Sequence, residues 1–429
     1  MSKTIWMMNH YAGNMLANKG GRHYFFAKHL VRAGFRPVIF CSNLLKGTDR
    51  CVPTADLWAE RRAEEIDTPF VFVRVRPYRG NGKARILNML DFFFNVQKAA
   101  KQYAKLHGPP DIILASSVHP LTMVAGIRLA KHFGVKCICE VRDLWPEVLV
   151  TYSSRIRRDG LLAKAMYAGE KWIYKKADAV IFTQEGGPAY VAEQGWDSAH
   201  GGPVDSAKLF HVNNGVDLEI FRHNLRAFPY SDPDLSNPGL FKVVYAGSIR
   251  RINNLGIILD AAKLVTDPSV KFLLFGSGDE VEPLRHRVEA EGIRNVVFKG
   301  HVNKQYIPSI VSQADLNLVH WEMSPLLRVG ESYNKAFEYF AAGKPVFYTV
   351  RPGYSIVEKY RCGKLTDGFS PREIAEGILG MARLGKAEKD AMAENARKVA
   401  EIYDFGQLTG QLIDVMSKIG CGRREPEPS

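Results

Sequence analysis

The chain reads as an α/β protein made of two Rossmann-like domains that face each other across a cleft. Its 429 residues exceed what one hydrophobic core usually serves. Short apolar runs alternate with helical-period segments twice along the chain. Between the two runs of this pattern the periodicity is lost and prolines collect.

The first run comprises TIWMM, HYFFAKHLVRAG, PVIFCS, FVFVRV, a long segment 83–107, DIILASS, TMVAGIRLAKHFG, KCICEV and AVIFTQ. DIILA and AVIF are continuously apolar rather than alternating, as strands buried on both faces must be. This predicts a first domain over 1–223. NLRAFPYSDPDLSNPG, with three prolines, predicts an interdomain linker over 224–239. The pattern restarts with FKVVYAG, LGIILDAAKLV, VKFLLFGSG, PLRHRVEAEG, NVVFKG, IPSIVSQA, LNLVHW and KPVFYTV, which predicts a second domain over 240–395. Helical periodicity follows in EIAEGILGMARL and again from about Lys386 to Ile419. The helix assigned to 396–420 is expected to return to the N-terminal domain, and the polar tail 421–429 to be disordered.

An apolar content of 46% with 24% charged residues is ordinary for a globular protein, and no run is long enough for a membrane span. No secretory signal is legible in MSKTIWMMNHYAG, so a cytoplasmic location is expected. The six cysteines, 41, 51, 137, 139, 362 and 421, lack the clustering of a zinc or redox site and read as reduced thiols. A formal charge of +13 calls for an acidic partner: nucleic acid, anionic lipid or a phosphorylated substrate.

The most informative stretch is SYNKAFEYFAAGKPV, Ser332 to Val346. Ser332 can cap a helix, Phe337, Phe340 and Ala341 share a face, Gly343 ends it, and a strand follows. Unpaired N–H groups near Tyr333, Asn334 and Lys335 would bind phosphate, Lys335 would add charge, and Glu338 would accept from ribose hydroxyls. Gly20 and Gly21 precede a helix, and Gly276 and Gly278 end a strand, where the backbone can approach a ligand closely. His119, in ASSVHPL, follows a buried strand at its carboxyl end. Asp232-Pro-Asp234 mimics a metal-binding Asp-x-Asp but lies inside the linker without an apolar strand before it, and is discounted.

These segments resemble glycosyltransferase family 4, with its two-domain GT-B fold. The resemblance is carried by KGGRHYFFAKHL, EVRDLWPE at 140–147, HVNNGVDLEIF, VVYAGSIRRINNLG, FLLFGSGDE and SYNKAFEYFAAGKPV. EVRDLWPE is similar to the subgroup that builds bacterial surface polysaccharides, O-antigen or capsule, on polyprenyl-diphosphate carriers. The resemblance implies retaining, metal-independent transfer of a hexosyl or N-acetylhexosaminyl unit from a nucleotide-diphosphate donor, UDP in preference to GDP, with no cofactor beyond this co-substrate. The donor belongs mainly to the C-terminal domain and the lipid-linked acceptor to the N-terminal one. Asp143, Trp145 and Glu147 become acceptor-side residues, and His119 and Glu338 join the reacting centre. Two departures stand out. The first of the family's two glutamates falls on Gly330, with Glu331 one place off as a substitute. The family's arginine and lysine after the strand ending at Gly247 are replaced by Ser248 and Asn253, which leaves Arg250 and Arg251 to neutralise the diphosphate.

Two basic stretches, 74–107 with eight Lys or Arg against one Asp, and SRIRRDGLLAKAMYAGEKWIYKK, read as helices that could lie on an anionic leaflet. The expected place is therefore the inner face of the cytoplasmic membrane. A UDP-sugar 2-epimerase of the same fold and, on charge alone, a basic nucleic-acid-binding protein stay open. The second lacks any recognition motif, so nucleic acid is not an expected partner.

Overall fold

A computed structural model describes residues 2–48, 50–80, 82–153 and 156–422. From 423 onward the predicted tail lies outside them. Contacts divide the chain into one unit up to Asn213 together with the residues from Leu408, and a second from Asn214 to Gln407.

The first unit is an eight-stranded sheet. Its strands are β1 (Thr4–Met8), β2 (Arg36–Ser42), β3 (Trp58–Ala63), β4 (Thr68–Val73), β5 (Ile112–Ser116), β6 (Lys136–Val141), β7 (Ala179–Phe182) and β8 (Leu209–His211), in the order β3-β4-β2-β1-β5-β6-β7-β8. All neighbours pair in parallel except β3, which runs antiparallel to β4 at the edge. That strand, WAERRA, escapes the apolar pattern because only Ala63 is fully buried. An edge strand need not be apolar on both faces, and its charges discourage pairing with another chain. The central strands Ile5–Met8 and Ile112–Ala115 are almost wholly inaccessible, at roughly 1.5–3 kcal/mol for each large side chain buried.

The second unit is a six-stranded parallel sheet of β9 (Phe241–Ala246), β10 (Val270–Phe275), β11 (Val296–Gly300), β12 (Leu316–Val319), β13 (Val346–Tyr348) and β14 (Gly363–Leu365), in the order β11-β10-β9-β12-β13-β14. Helix Gly256–Leu264 and helix Pro371–Arg383 pack Ile258, Leu259, Ile374 and Ile378 on one face of it. The second of these starts on a capping box in which Ser370 and Glu373 bond each other's backbone N–H.

Three boundaries differ from the sequence expectation. The division falls at Asn213, and Asn224–Ala227 of the expected linker is the end of helix Leu218–Ala227, capped by Asp217. Farther along that stretch, Asp232 accepts from Lys299 Nζ at 2.6 Å and Asp234 from Lys271 Nζ at 2.6 Å. Both carboxylates tie the prolines to strands β10 and β11, so the segment is part of the second unit. The helix expected from Lys386 to Ile419 is two, Lys386–Ile402 and Phe405–Lys418. Asp404 breaks it, because its carboxylate caps Leu218 N–H and Gly406 N–H. The residues from Leu408 belong to the first unit, as the expected return of the C-terminal helix requires.

Candidate functional site

In an open parallel sheet, ligands collect outside the carboxyl ends of the strands where the strand order reverses. In the first unit the reversal lies between β1 and β5. In the second it lies between β9 and β12. Both places hold buried polar side chains.

At the first, His10 follows β1 and His119 follows β5, and their rings meet at 2.7 Å, Nδ1 of His10 to Nε2 of His119. Both are buried, and His10 stacks on Phe92 at 4.4 Å. Burial, assisted by Arg85, pushes His119 down to about 3, so it is neutral at physiological pH. Its Nδ1 is buried with no hydrogen-bond partner among the described residues. His119 is thus an interior residue of the switch point rather than a surface loop residue.

Beside this pair lies a charged cluster that the sequence reading passed over. Glu140, near the end of β6, accepts from Arg22 Nε at 2.7 Å and Ser116 Oγ at 2.7 Å, with His23 Nε2 at 3.2 Å. Arg22 also donates to the carbonyls of Val212 and Asn213. Asn9 donates to His23 Nδ1, which leaves the ring proton on Nε2, facing Glu140. Burial pushes the Glu140 carboxyl up, but Arg22, His23 and Arg142 outweigh it and hold the group far below its usual value. Gly20 and Gly21 shape the entry to this cluster. Gly21 has φ +108° and is the N-cap of helix Arg22–Arg32, whose first two residues carry the contacts. One signal was available: Glu140 is the lone carboxylate in the apolar strand KCICEV, and a charge in a doubly covered strand must be paired.

The acceptor-side expectation divides. Asp143 is exposed. Trp145 donates its indole N–H to the Val118 carbonyl at 3.1 Å, next to His119. Glu147 is buried and accepts from Tyr167 Oη at 3.0 Å and from Arg158. Trp145 and Glu147 thereby hold the loops of the first unit in place.

At the second switch point, β9 ends in Tyr245-Ala246-Gly247. The Lys335 Nζ donates to Tyr245 Oη at 2.8 Å and lies 4.1 Å above that ring. A Cβ on Gly247 would sit 2.9 Å from the same nitrogen, so the glycine makes room for it. Burial pushes the Lys335 ammonium down to about 7. Tyr339, one turn on, both donates to and accepts from the backbone of Ala246. The helix carrying Lys335, Asn334–Ala341, is therefore bolted to the end of β9. Its first backbone N–H groups have no partner within the helix.

Its cap is Tyr333, not Ser332. Tyr333 stacks on Trp321 at 4.8 Å, and this contact sets the entry to the helix. Ser332 Oγ is instead buried with no hydrogen-bond partner among the described residues, while its carbonyl accepts from Asn214. Asn334 is exposed, and Glu338 is half-buried with Lys304 Nζ at 3.6 Å.

The loop after β9 is braced from inside. Ser248 Oγ donates to Asn253 Oδ1 at 3.0 Å, and Tyr245 Oη to the Ser248 carbonyl at 2.8 Å. Arg250 and Arg251 are exposed on its outer side. Gly247 N–H and Ile249 N–H donate to the carbonyls of Phe275 and Ser277. A Cβ on Gly276 would lie 1.8 Å from the Gly247 carbonyl oxygen, and one on Gly278 1.9 Å from that of Ile249. The two glycines are thus required for the loops after β9 and β10 to touch. We expect Gly276→Ala to push the loops apart and to destabilise the second unit by about 1–3 kcal/mol in denaturant melts. Unchanged melting would refute this packing role.

His320, at the end of β12, was not foreseen. Its Nε2 donates to the Asn254 carbonyl at 3.1 Å and its Nδ1 accepts from Thr349 at 2.6 Å, so it pins the same loop. Burial pushes it down to about 4, so the ring is neutral. Glu331, the substitute for the missing first glutamate, is buried and accepts the Ile356 N–H at 2.7 Å. It closes the start of helix Ile356–Tyr360, and burial pushes its carboxyl up to about 7 against the bonds from Tyr348 and Ile356.

Comparison with known proteins agrees with this arrangement. A profile described as "Glycosyl transferase 4-like domain" matches residues 25–201, and one described as "Glycosyl transferases group 1" matches residues 231–399. The chain belongs to glycosyltransferase family 4. This glycosyltransferase is 26% identical over 215 residues to the putative teichuronic acid biosynthesis glycosyltransferase TuaH of Bacillus subtilis. The match spans 48% of the chain and 50% of that relative. Its fold is shared with sucrose-phosphate synthase of Thermosynechococcus elongatus, with a TM-score of 0.71 at 18% identity over 97% of this chain and 99% of the other. It is shared also with the Anabaena protein HepE in complex with UDP and glucose, with a TM-score of 0.64 at 16% identity over 97% and 100%. Among the described residues of this glycosyltransferase, no helix is long and apolar enough to cross a membrane.

Proposed function

We propose that the chain transfers a hexosyl or N-acetylhexosaminyl unit from a UDP-sugar to a lipid-diphosphate-linked glycan, with retention and without a bound metal. The observation that carries this reading is Lys335. Its ammonium lies on Gly247 at the reversal of the second sheet, beside the N-terminus of helix Asn334–Ala341. One fixed cation and a helix N-terminus together suit a diphosphate better than any uncharged ligand. Arg250 and Arg251, on the rim, supply the remaining charge when the donor is bound. Glu338 accepts from the ribose. The solved complex of HepE with UDP and glucose supports UDP as the nucleotide.

The test is incubation of the purified chain with a panel of UDP- and GDP-sugars and membrane lipid extract. Sugar label should appear in lipid with a UDP donor. Donor turnover without any acceptor would point instead to a 2-epimerase, and absence of both would overturn the proposal.

The acceptor's place at an anionic membrane face is supported by two helices whose solvent stripes run from apolar to basic. On helix Lys83–His107 the stripe is Leu87, Leu90, Phe94, Lys98, Lys101 and Lys105. On helix Leu161–Lys176 it is Leu161, Ala165, Ala168, Trp172 and Lys175. Phe94 is 55% exposed and Leu161 87% exposed, more than a surface facing only water favours. The double variant Phe94→Ser, Leu161→Ser should keep its fold and lose about tenfold in binding to phosphatidylglycerol vesicles in a sedimentation assay. Equal binding would remove these helices from the membrane reading.

A further inference from the structure

A groove of about 630 Å³ opens in the first unit beyond the carboxyl ends of β2 and β4, and the site described above does not use it. Its lining includes Asn43, Cys51, Arg74, Arg76, Asp91 and Asn95. The side chains are held in place by the protein itself. Asn43 accepts the Val75 N–H at 3.0 Å and donates to the Val52 carbonyl at 3.2 Å. Asn95 donates to the Arg74 carbonyl at 2.8 Å, and Arg74 donates to the Thr54 carbonyl at 3.2 Å. Arg76 grips Asp91 with two nitrogens, at 2.6 and 3.0 Å. These bonds fix the walls, and they use only the amide nitrogen of Asn95 and one guanidinium nitrogen of Arg74. Planar amides, a carboxylate and a guanidinium held rigid are the groups that bond sugar hydroxyls and phosphate oxygens.

A second feature adjoins it. Asp91 and Asn95 each follow, by one residue on the same helix, a member of the apolar stripe: half-buried Leu90 and exposed Phe94. A polar groove bordered by exposed hydrocarbon fits a ligand with a polar end and an apolar end.

We propose that this groove binds the glycosyl diphosphate end of a lipid-linked acceptor, with Arg74 on the phosphate, Asn43 and Asn95 on the sugar, and the first isoprenes along Leu87, Leu90 and Phe94. The proposal rests on the acceptor reading above and adds a place for it, apart from Asp143, Trp145 and Glu147.

Cys51 provides a reporter that requires no turnover. It is exposed in the groove, whereas Cys41, Cys137, Cys139 and Cys362 are buried. In a Cys421→Ser background, the rate at which a maleimide labels Cys51 should fall about tenfold or more when farnesyl-diphosphate-linked N-acetylglucosamine is saturating. UDP, inorganic phosphate and N-acetylglucosamine 1-phosphate should leave it unchanged. Arg74→Ala should remove the protection and raise the acceptor KM at least about tenfold, the loss of one charge-assisted contact, with UDP affinity retained. Protection by phosphate or the sugar phosphate alone would replace the lipid headgroup by a soluble ligand and overturn the proposal. No protection by the lipid-linked probe, or protection by UDP, would also overturn it. Failure of the transfer reading is a separate result, absence of nucleotide-sugar turnover, and does not affect Cys51 labelling.

Discussion

Replacement of Lys335 by methionine lowers kcat/KM for the sugar donor by about a hundredfold or more, as the loss of a held cation against a diphosphate predicts. The same variant is no less stable than the parent. Lys335 is half-buried and pushed down to about 7, whereas an unfolded lysine titrates near ~10.4. Between these values the unfolded chain binds more protons than the folded one. Stability therefore rises with pH across about 7 to 10, and the lysine's penalty is fully present below 7. Methionine fills similar volume without the ammonium, so the variant's melting temperature should exceed the parent's by more at pH 6 than at pH 9. Binding of a diphosphate restores the charged form, so UDP binding at pH 8 takes up a proton. Calorimetry in buffers of different ionisation enthalpy measures this uptake, and the variant should show none. Unchanged donor kinetics in Lys335→Met would defeat the assignment, and a loss of stability at every pH would make the residue structural.

The second large effect is at Glu140. Glu140→Gln leaves Arg22 buried with no ionised partner, a change that costs about 3–5 kcal/mol in comparable buried pairs. Because the folded carboxyl is held below its unfolded value, its contribution is present above about pH 4.3 and is lost as pH falls toward the folded value. The parent should therefore show a steep decline in the stability of the first unit between about pH 5 and 2, and Glu140→Gln a shallower one. Denaturant melts at several pH values test this. A change under about 1 kcal/mol at pH 7 would mean that Arg22 finds other compensation in the carbonyls of Val212 and Asn213.

The two stand for different kinds of legibility. Lys335 was readable because the signals around it are local: an apolar face, a terminating glycine and a following strand within fifteen residues. Even there the cap was misplaced by one position, since the stacking of Tyr333 on Trp321 brings together residues twelve apart. Glu140 lies inside EVRDLWPE, yet the family resemblance points to Asp143, Trp145 and Glu147 of that motif. Partners such as Arg22, more than a hundred residues away, cannot be inferred from spacing. The glycine pair at 20 and 21 leads into the helix whose Arg22 bonds Glu140, a partner that spacing does not reveal.

The sequence alone determined the class of each half, the number of sheets, the helix that carries Lys335 and the family. These follow from period, composition and local capping, which act over a few residues. Only the tertiary structure decided where the strand order reverses, which brings His10 to His119 and Lys335 to Gly247 from segments 109 and 88 residues apart. It also decided that Glu331 closes a helix, that Asp232 and Asp234 hold lysines, and that Trp145 and Glu147 brace loops. The physical reason is common to all of these. A polar side chain removed from water must find a partner, and which partner it finds depends on the order of strands in the sheet, which no local pattern encodes.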